Sequence, residues 1–543
     1  MKPARRKMRL RSLDAQPSAA APGVHRGFFR AWRWWLVPAA LTLLLALLYQ
    51  DPFIGDWDAL DYTVNSVHGH PSTMALGRTL FIYINHALYR IAHALFNLPP
   101  TRAYLLFKYA VIMQAPMVVI ACWQLARDLT RSIRAATLAA LLIALSPAFV
   151  IYSGQVMTEI PSLLWLAIAL IVHLRGVRTR RLWLMLVGAM LLGAGVNFRE
   201  TVAFYAPWLV IAPFVCGWQL GRRELLNIAL CCVVFLVFAF GGFAFWFATD
   251  TGGYRAGWHG WRESMRQETA RHPVALKNMF PLLVYFFLVA PLVLAALPVA
   301  AWKEWRRHGP SALLALALVG LIANLLLFFN YSTTINWRYL LTGLPALVPL
   351  VADYFINSQT IRLGNPRHAF WSAVAGVLLV AFLLGLMLNG SRAKFVAKHA
   401  LTRSYLSRLE SVPPGAVLMA GGQSIAVTYA RGLGLGEWEA IGTGGGWPGA
   451  RLVPLIEDYL RRGRRVFLDT DPAIWSPCGW QLEETRAIAG LTAHFNFRRF
   501  SDTIYELRPK EHETPHDPLD LQNLLPENRP DDLRQCVGEQ ALH

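Results

Sequence analysis

The stretch GDWDALDY, residues 55–62, holds Asp56, Asp58 and Asp61 directly after a long apolar run. A carboxylate held at a water–lipid boundary can take the proton of an attacking hydroxyl. If the stretch is helical, Asp58 and Tyr62 share a face and Asp61 lies one turn from Asp58. If it is a loop, Asp56 and Asp58 point one way and suit a hard divalent cation, Mg2+ or Mn2+. The bland alternative is a solvated acidic loop where the chain leaves a membrane.

A second carboxylate, Glu159, lies in YSGQVMTEIPSLLW, where Ile160 and Pro161 fix the chain as it turns back into apolar sequence. A Glu between two apolar segments costs desolvation energy unless it has a partner or a task. Charge stabilisation of a helix N-terminus is the alternative. Cations follow in NFRETVAFYAP, with Arg199 and Glu200, and in NYSTTINWRYLLTGLPAL, with Arg338 and Tyr339. A guanidinium at an interface grips a phosphate bidentately, or snorkels to lipid headgroups. For Arg199 the plain alternative is an ion pair with its neighbour Glu200 that pins the turn. Lys108, inside an apolar run, is one more cation within reach of the same face. The candidate catalytic residues are therefore Asp58, Asp56 and Glu159. The candidate substrate-binding residues are Arg338, Tyr339, Tyr62, Arg199 and Lys108.

What positions these residues is a membrane. Of 543 residues 55% are hydrophobic and 16% charged, and the apolar residues come in blocks near the length of a bilayer crossing. The blocks lie near 34–50, 104–126, 135–152, 161–174, 182–197, 202–218, 227–248, 279–301, 311–330, 338–356 and 369–389, about eleven candidate spans. Those at 161–174 and 182–197 are short. The basic start, residues 1–33, carries no small-residue cleavage pattern after the first block and reads as a cytoplasmic tail before an uncleaved span. Lys and Arg recur in alternate loops, ARDLTRSIR, RGVRTRR, QLGRRE, WKEWRRHG and IRLGNPRH, which places those loops in the cytoplasm and every candidate residue above at an outer span end. Topology thus explains the formal charge of +19, and nucleic acid is not an expected partner.

The membrane domain is expected over 34–390, with long outer loops at 51–103 and 249–278 and a tight connection at 153–160. Residues 75–96 mix aromatic, apolar and basic side chains as a helix lying on a membrane surface does. The Gly pair and aromatics of 249–278 suit a mobile flap. Residues 391–508 read as an extracytoplasmic α/β domain, with strands in GAVLMAGGQSIAVTYA, RRVFLDT and DTIYELR and a helix in RLVPLIEDYLRRG. Residues 509–543 read as a loose tail. IGTGGGWPG, 441–449, lacks the flanking strand and helix of a phosphate cradle and reads as a flexible loop. Cys122, Cys216, Cys231 and Cys232 fall in apolar spans, while Cys478 and Cys536 are placed to pair outside the cytoplasm.

The order and side of GDWDALDY, SGQVMTEIP, NFRETVAFYAP and NWRYLLTGLPAL, followed by an outer soluble domain, resembles the GT-C superfamily. In plan the chain is similar to its protein O-mannosyltransferase and lipid A aminoarabinose transferase branch, over about residues 34–390. The resemblance implies a multi-pass α-helical enzyme of the bacterial inner membrane. Such an enzyme moves a sugar, with inversion, from a polyprenyl-phosphate carrier to a glycan, lipid or protein acceptor at the outer face. The family's first-loop pattern is Asp-Glu-x-x-Tyr; Asp58 and Tyr62 match its ends, and Ala59 stands in place of the Glu. By resemblance, Glu159 matches the second-loop acid and Arg338 the base near the carrier phosphate. Two competing readings are a secondary transporter or lipid flippase, and a catalytically silent relative whose outer domain binds envelope partners. Transporters place charges near the midplane and often show paired halves, and neither feature is present.

Overall fold

The computed structural model describes residues 32–51, 57–219, 221–271, 283–284, 286–287, 289–327, 337–357, 366–442, 448–475, 482–510, 519–525 and 528–529. The membrane part is helical: α1 (Trp32–Leu48), α2 (Trp57–His68), α3 (Thr79–Phe96), α4 (Ala103–Thr130), α5 (Ile133–Ala144), α6 (Pro147–Ser153), α7 (Glu159–Thr179), α8 (Leu182–Val196), α9 (Pro207–Val215), α10 (Arg222–Thr249), α11 (Tyr254–Arg271), α12 (Pro291–His308), α13 (Ala312–Leu326) and α14 (Leu344–Asn357). Among the described residues four helical stretches are long and apolar enough to cross a bilayer: Pro100–Thr130, Glu159–Thr179, Arg222–Thr249 and Arg338–Ile356. The bent pair α5 and α6 makes a fifth if taken as one span, and α1, α8, the stretch Glu200–Val215 and α13 are shorter apolar helices.

Two of the expected spans differ from the sequence reading. The block at 135–152 is broken by 64° between α5 and α6. Ser146 caps α6, its Oγ accepting from the Phe149 N–H, and Pro147 takes the first helical position, so a helix start signal lies inside an apolar run. The block at 161–174 is not short: α7 runs 21 residues, from Glu159 to Thr179. It packs so closely on α8 that a Cβ at Gly176 would stand 2.6 Å from the Met185 nitrogen, and one at Gly188 would stand 2.7 Å from the His173 Cα. Small residues let helix backbones approach where no hydrophobic gain drives them together.

The first outer loop contains α2, a sharp turn and α3. Ala75, Gly77 and Arg78 all have left-handed φ, at 48°, 88° and 47°. Ile84, Ile91, Leu95 and Phe96 of α3 are exposed, which fits a helix lying in a lipid interface. The expected flap at 249–278 holds a 3-10 turn at Thr251–Gly253 and helix α11 over Tyr254–Arg271, and 272–278 lie outside the described residues. Trp258 of α11 donates its indole N–H to the Ala75 carbonyl at 3.0 Å, so this helix covers the left-handed turn.

Helix α15 (Pro366–Leu409) runs 44 residues without interruption, through the expected domain boundary near 391. It leads to a second hydrophobic core around a five-stranded sheet of β1 (Val417–Met419), β2 (Glu439–Ala440), β3 (Val466–Asp469), β4 (Phe495–Arg499) and β5 (Ile504–Pro509), in the order β2-β1-β3-β5-β4. β1 pairs in parallel with β2 and β3; β5 is antiparallel to β3 and β4. Helices α16 (Ser424–Gly432), α17 (Leu452–Arg461) and α18 (Leu482–Ala489) complete the unit. The expected strand at 415–430 ends after three residues, because Gly421 turns the chain at φ 47° and SIAVTYARG then winds as α16. The expected loose tail is partly docked, with Leu521 and Leu524 buried in this core. Cys478, Cys536 and residues 443–447 of the Gly-rich loop lie outside the described residues.

Candidate active site

Helix α2 begins at Trp57, so Asp58 stands in its first turn, where the helix dipole favours a carboxylate. Tyr62, one turn on, is buried with its ring edge-on to Phe81, centroids 5.4 Å apart. Asp58 Oδ2 accepts from Arg338 Nη2 at 2.7 Å. Arg338 sits on a 3-10 turn, Trp337–Gly343, which Tyr205 holds by donating its hydroxyl to the Thr342 carbonyl at 2.6 Å. Arg338 Nε lies 3.3 Å from Glu159 Oε1, in the first turn of α7. The same Glu159 oxygen accepts from Arg199 Nη1 at 2.6 Å, and Arg199 Nη1 also donates to Thr158 Oγ1 at 3.1 Å. The Arg199 and Arg338 guanidiniums stand 4.5 Å and 5.5 Å from the Tyr339 ring centroid.

A further cation closes the cluster. Arg78 donates through both terminal nitrogens to Glu200, Nη2 to Oε1 at 3.1 Å, and its Nη1 reaches the Phe198 carbonyl at 3.4 Å. Arg199 and Glu200 therefore do not pair with each other as neighbours: Arg199 pairs with Glu159, and Glu200 with Arg78. Three arginines face three carboxylates, Asp58, Glu159 and Glu200. Side-chain exposure is 1% for Arg199 and Glu159 and 7% for Arg78 and Arg338.

Balanced charge does not mean saturated hydrogen bonding. Arg199 Nε and Nη2, Arg78 Nε and the Tyr62 hydroxyl are buried with no hydrogen-bond partner. Such orphan donors cost free energy unless something fills them. Cationic donors beside an aromatic shelf suit an anionic, oxygen-rich group, a phosphate above all.

Burial works to raise the Asp58 pKa, but the charges of Arg338, Arg78 and Arg199 and the Arg338 hydrogen bond outweigh it and hold the carboxyl below the usual range. Asp61 goes the other way. Burial pushes it up to about 6, and the Asp58 charge adds to the rise, against hydrogen bonds from Ser72 Oγ at 2.7 Å and Asn65 Nδ2 at 2.9 Å.

The structure thus gathers Asp58, Tyr62, Glu159, Arg199, Arg338 and Tyr339, with Arg78, from five chain segments. Lys108 is not brought to them. Its Nζ donates to the Asp51 carbonyl at 2.8 Å, while Tyr104 donates to Asp51 Oδ2 at 3.4 Å, so it pins the start of the first outer loop. Asp56 lies outside the described residues, and among the described residues no three His, Cys, Asp or Glu side chains group as a metal site. Arg78 was not among the sequence candidates. Its placement depends on the left-handed turn, and the one hint in the sequence is a lone basic residue between Gly77 and an apolar helix.

Residues 84–246 match a family model described as dolichyl-phosphate-mannose-protein mannosyltransferase. No curated protein matches the chain. Among solved structures, ArnT from Cupriavidus metallidurans, bound to undecaprenyl phosphate, superposes over 88% of this chain and 98% of its own at 15% identity, TM-score 0.54. The archaeal oligosaccharyltransferase AglB from Archaeoglobus fulgidus, in complex with an inhibitory peptide and a dolichol-phosphate, covers 92% of this chain and 78% of its own at 12% identity, TM-score 0.51. The chain shares the fold of these two structures. Within that fold, the five segments that carry the cluster all fall in the helical part, and among the described residues the sheet unit contributes no side chain to it.

Proposed function

We propose that the protein is an integral-membrane glycosyltransferase that moves a sugar, with inversion, from a polyprenyl-phosphate carrier to a hydroxyl of a glycan, lipid or protein acceptor. The observation that carries this reading is the convergence of Asp58 and Glu159 on Arg338, beside Arg199 and Tyr339. ArnT bound to undecaprenyl phosphate and AglB with a dolichol-phosphate support the donor class. The carrier's lipid tail lies in the bilayer, so its phosphate stands at the level of these helix ends. We place the reaction at the outer face of the plasma membrane, with the N-terminus cytoplasmic and the sheet unit outside, on the distribution of Lys and Arg.

The acceptor oxygen bonds to the anomeric carbon as the carbon–oxygen bond to phosphate breaks, and polyprenyl phosphate departs. Asp58 takes the acceptor proton. Arg338 and Arg199, with the orphan Nε of Arg78, stabilise the charge gathering on phosphate. Glu159 is engaged with two guanidiniums through one oxygen, which suits it to aim those cations rather than to act as the base. An arriving phosphate competes with Asp58 for Arg338. Drawing that guanidinium away lifts the Asp58 pKa back toward its ordinary value, so the base strengthens when the donor is in place. If the reaction uses Mg2+ or Mn2+, Asp56 and Asp58 are the carboxylates that would hold it, and it would supply positive charge toward the phosphate.

Purified protein in nanodiscs, given undecaprenyl-phosphate-linked sugars, should release undecaprenyl phosphate. Asp58→Asn should slow that release by about 10²- to 10⁴-fold with the melting temperature little changed. An Asp58→Asn variant that turns over normally overturns the assignment. Substrate counterflow in proteoliposomes that survives the same substitution supports the transporter reading instead.

A further inference from the structure

Helix α16 belongs to two hydrophobic cores at once. Its Val427 and Ala430, three residues apart, are buried in the core around the sheet. Tyr429 and, just past the helix end, Leu433 are 2% and 3% exposed and belong to the core of the membrane part. Two stripes on one short helix are thus buried on opposite partners.

The partner on the membrane side is α2, the helix that carries Asp58. His68 Nε2 donates to the Gly432 carbonyl at 2.7 Å, which satisfies one of the carbonyls left open at the end of α16. Gly432 has helical backbone angles, so conformation does not require glycine there. Close approach does: an added Cβ would stand 2.7 Å from Val64 Cγ1 and 3.0 Å from its Cγ2. Val64 and His68 are one turn apart and share a face of α2. Tyr62 lies two residues from Val64, about 200° round the helix, and packs toward Phe81 in the site. One side of α2 is therefore committed to the charged cluster and another to α16.

We infer that α16 is a buttress for α2, and that Gly432, whose missing Cβ lets it close on Val64, is a positioning residue for Asp58. This rests on the glycosyltransferase reading in its consequence for activity, not in its geometry. When a phosphate draws Arg338 away, α2 loses the ion pair that anchors its first turn. The contact with α16 is then what keeps Asp58 aimed.

The test is a size exchange in the full-length protein in nanodiscs, read by hydrogen exchange over residues 57–68 and by affinity for undecaprenyl phosphate. Gly432→Ala should speed exchange in α2 about tenfold and weaken undecaprenyl phosphate binding several-fold, with exchange in β1 and β3 unchanged. Val64→Ala alone should do little. Combined with Gly432→Ala it should restore both readouts, because it removes the methyls that the new Cβ meets. His68→Ala adds no bulk and should still speed exchange in α2, by less. Unchanged α2 exchange in Gly432→Ala, or a double variant no better than the single one, overturns the buttress. Failure of the wild-type protein to bind undecaprenyl phosphate overturns the donor assignment and leaves the exchange result to decide the buttress by itself.

Discussion

Ion pairs occur at both ends of the membrane helices, and the two ends are built differently. At the end near the basic loops, Arg175 Nε meets Asp128 Oδ2 at 2.8 Å with side chains 45% and 17% exposed, and Arg178 and Gln124 share the same aspartate. At the opposite end, Glu159 and Arg199 meet at 2.6 Å with both side chains 1% exposed. The first pair joins the ends of α4 and α7 in reach of water, where such a contact is cheap and weak. The Glu159–Arg199 pair has lost its hydration and still leaves guanidinium nitrogens unpaired. Burying charges in that way seldom raises stability over apolar packing of the same volume. The contrast teaches that the exposed network fastens helix ends, while the buried pair is not explained by fastening.

The sharpest way to break this contrast is to remove one cation from each end. Arg199→Met leaves the buried Glu159 with only the longer contact to Arg338 and should cost about 3–5 kcal/mol, read as a lowered melting temperature in detergent; a wild-type melting curve would erase the distinction. The pH response of Asp61 comes next. Its pKa is raised from 3.8 to about 6, so between those values the folded chain holds a proton that the unfolded chain has lost. Stability should therefore fall as pH rises through that window and level off above it. Asp61→Asn should flatten that segment of a melting-temperature profile, and a profile that keeps its slope would count against the burial of Asp61. Arg175→Ala should have the smallest effect, under about 1 kcal/mol and smaller still in high salt.

Much of the outer cluster was legible because each member is an anomaly of type against its surroundings. Asp58, Glu159, Arg199 and Arg338 each interrupt apolar sequence at a span end on one side of the membrane, and alternating basic loops supply the side. The pairing was not legible. Arg199 and Glu200 look like a local pair, but neighbours in sequence point different ways from a turn, and each found a partner far along the chain. Arg78 was hidden because only backbone at positive φ brings it inward, and no periodicity reports that. Lys108 had the right type at the right depth and went to Asp51, a choice made by which carbonyl lay nearest. In the sheet unit, RRVFLDT and DTIYELR were visible as strands from their short apolar and aromatic runs between polar residues, and RLVPLIEDYLRRG as a helix. The two-residue β2 is too short to leave a pattern, and the docking of Leu521 and Leu524 rests on two apolar residues in a polar, proline-rich setting.

Helix α15 spans 44 residues, an axis of about 66 Å, roughly twice the hydrocarbon thickness of a bilayer. It carries the expected last span at 369–389 and the lead-in to the sheet in one unbroken rod, so a tilt or shift at its start would be passed on to the sheet at its far end.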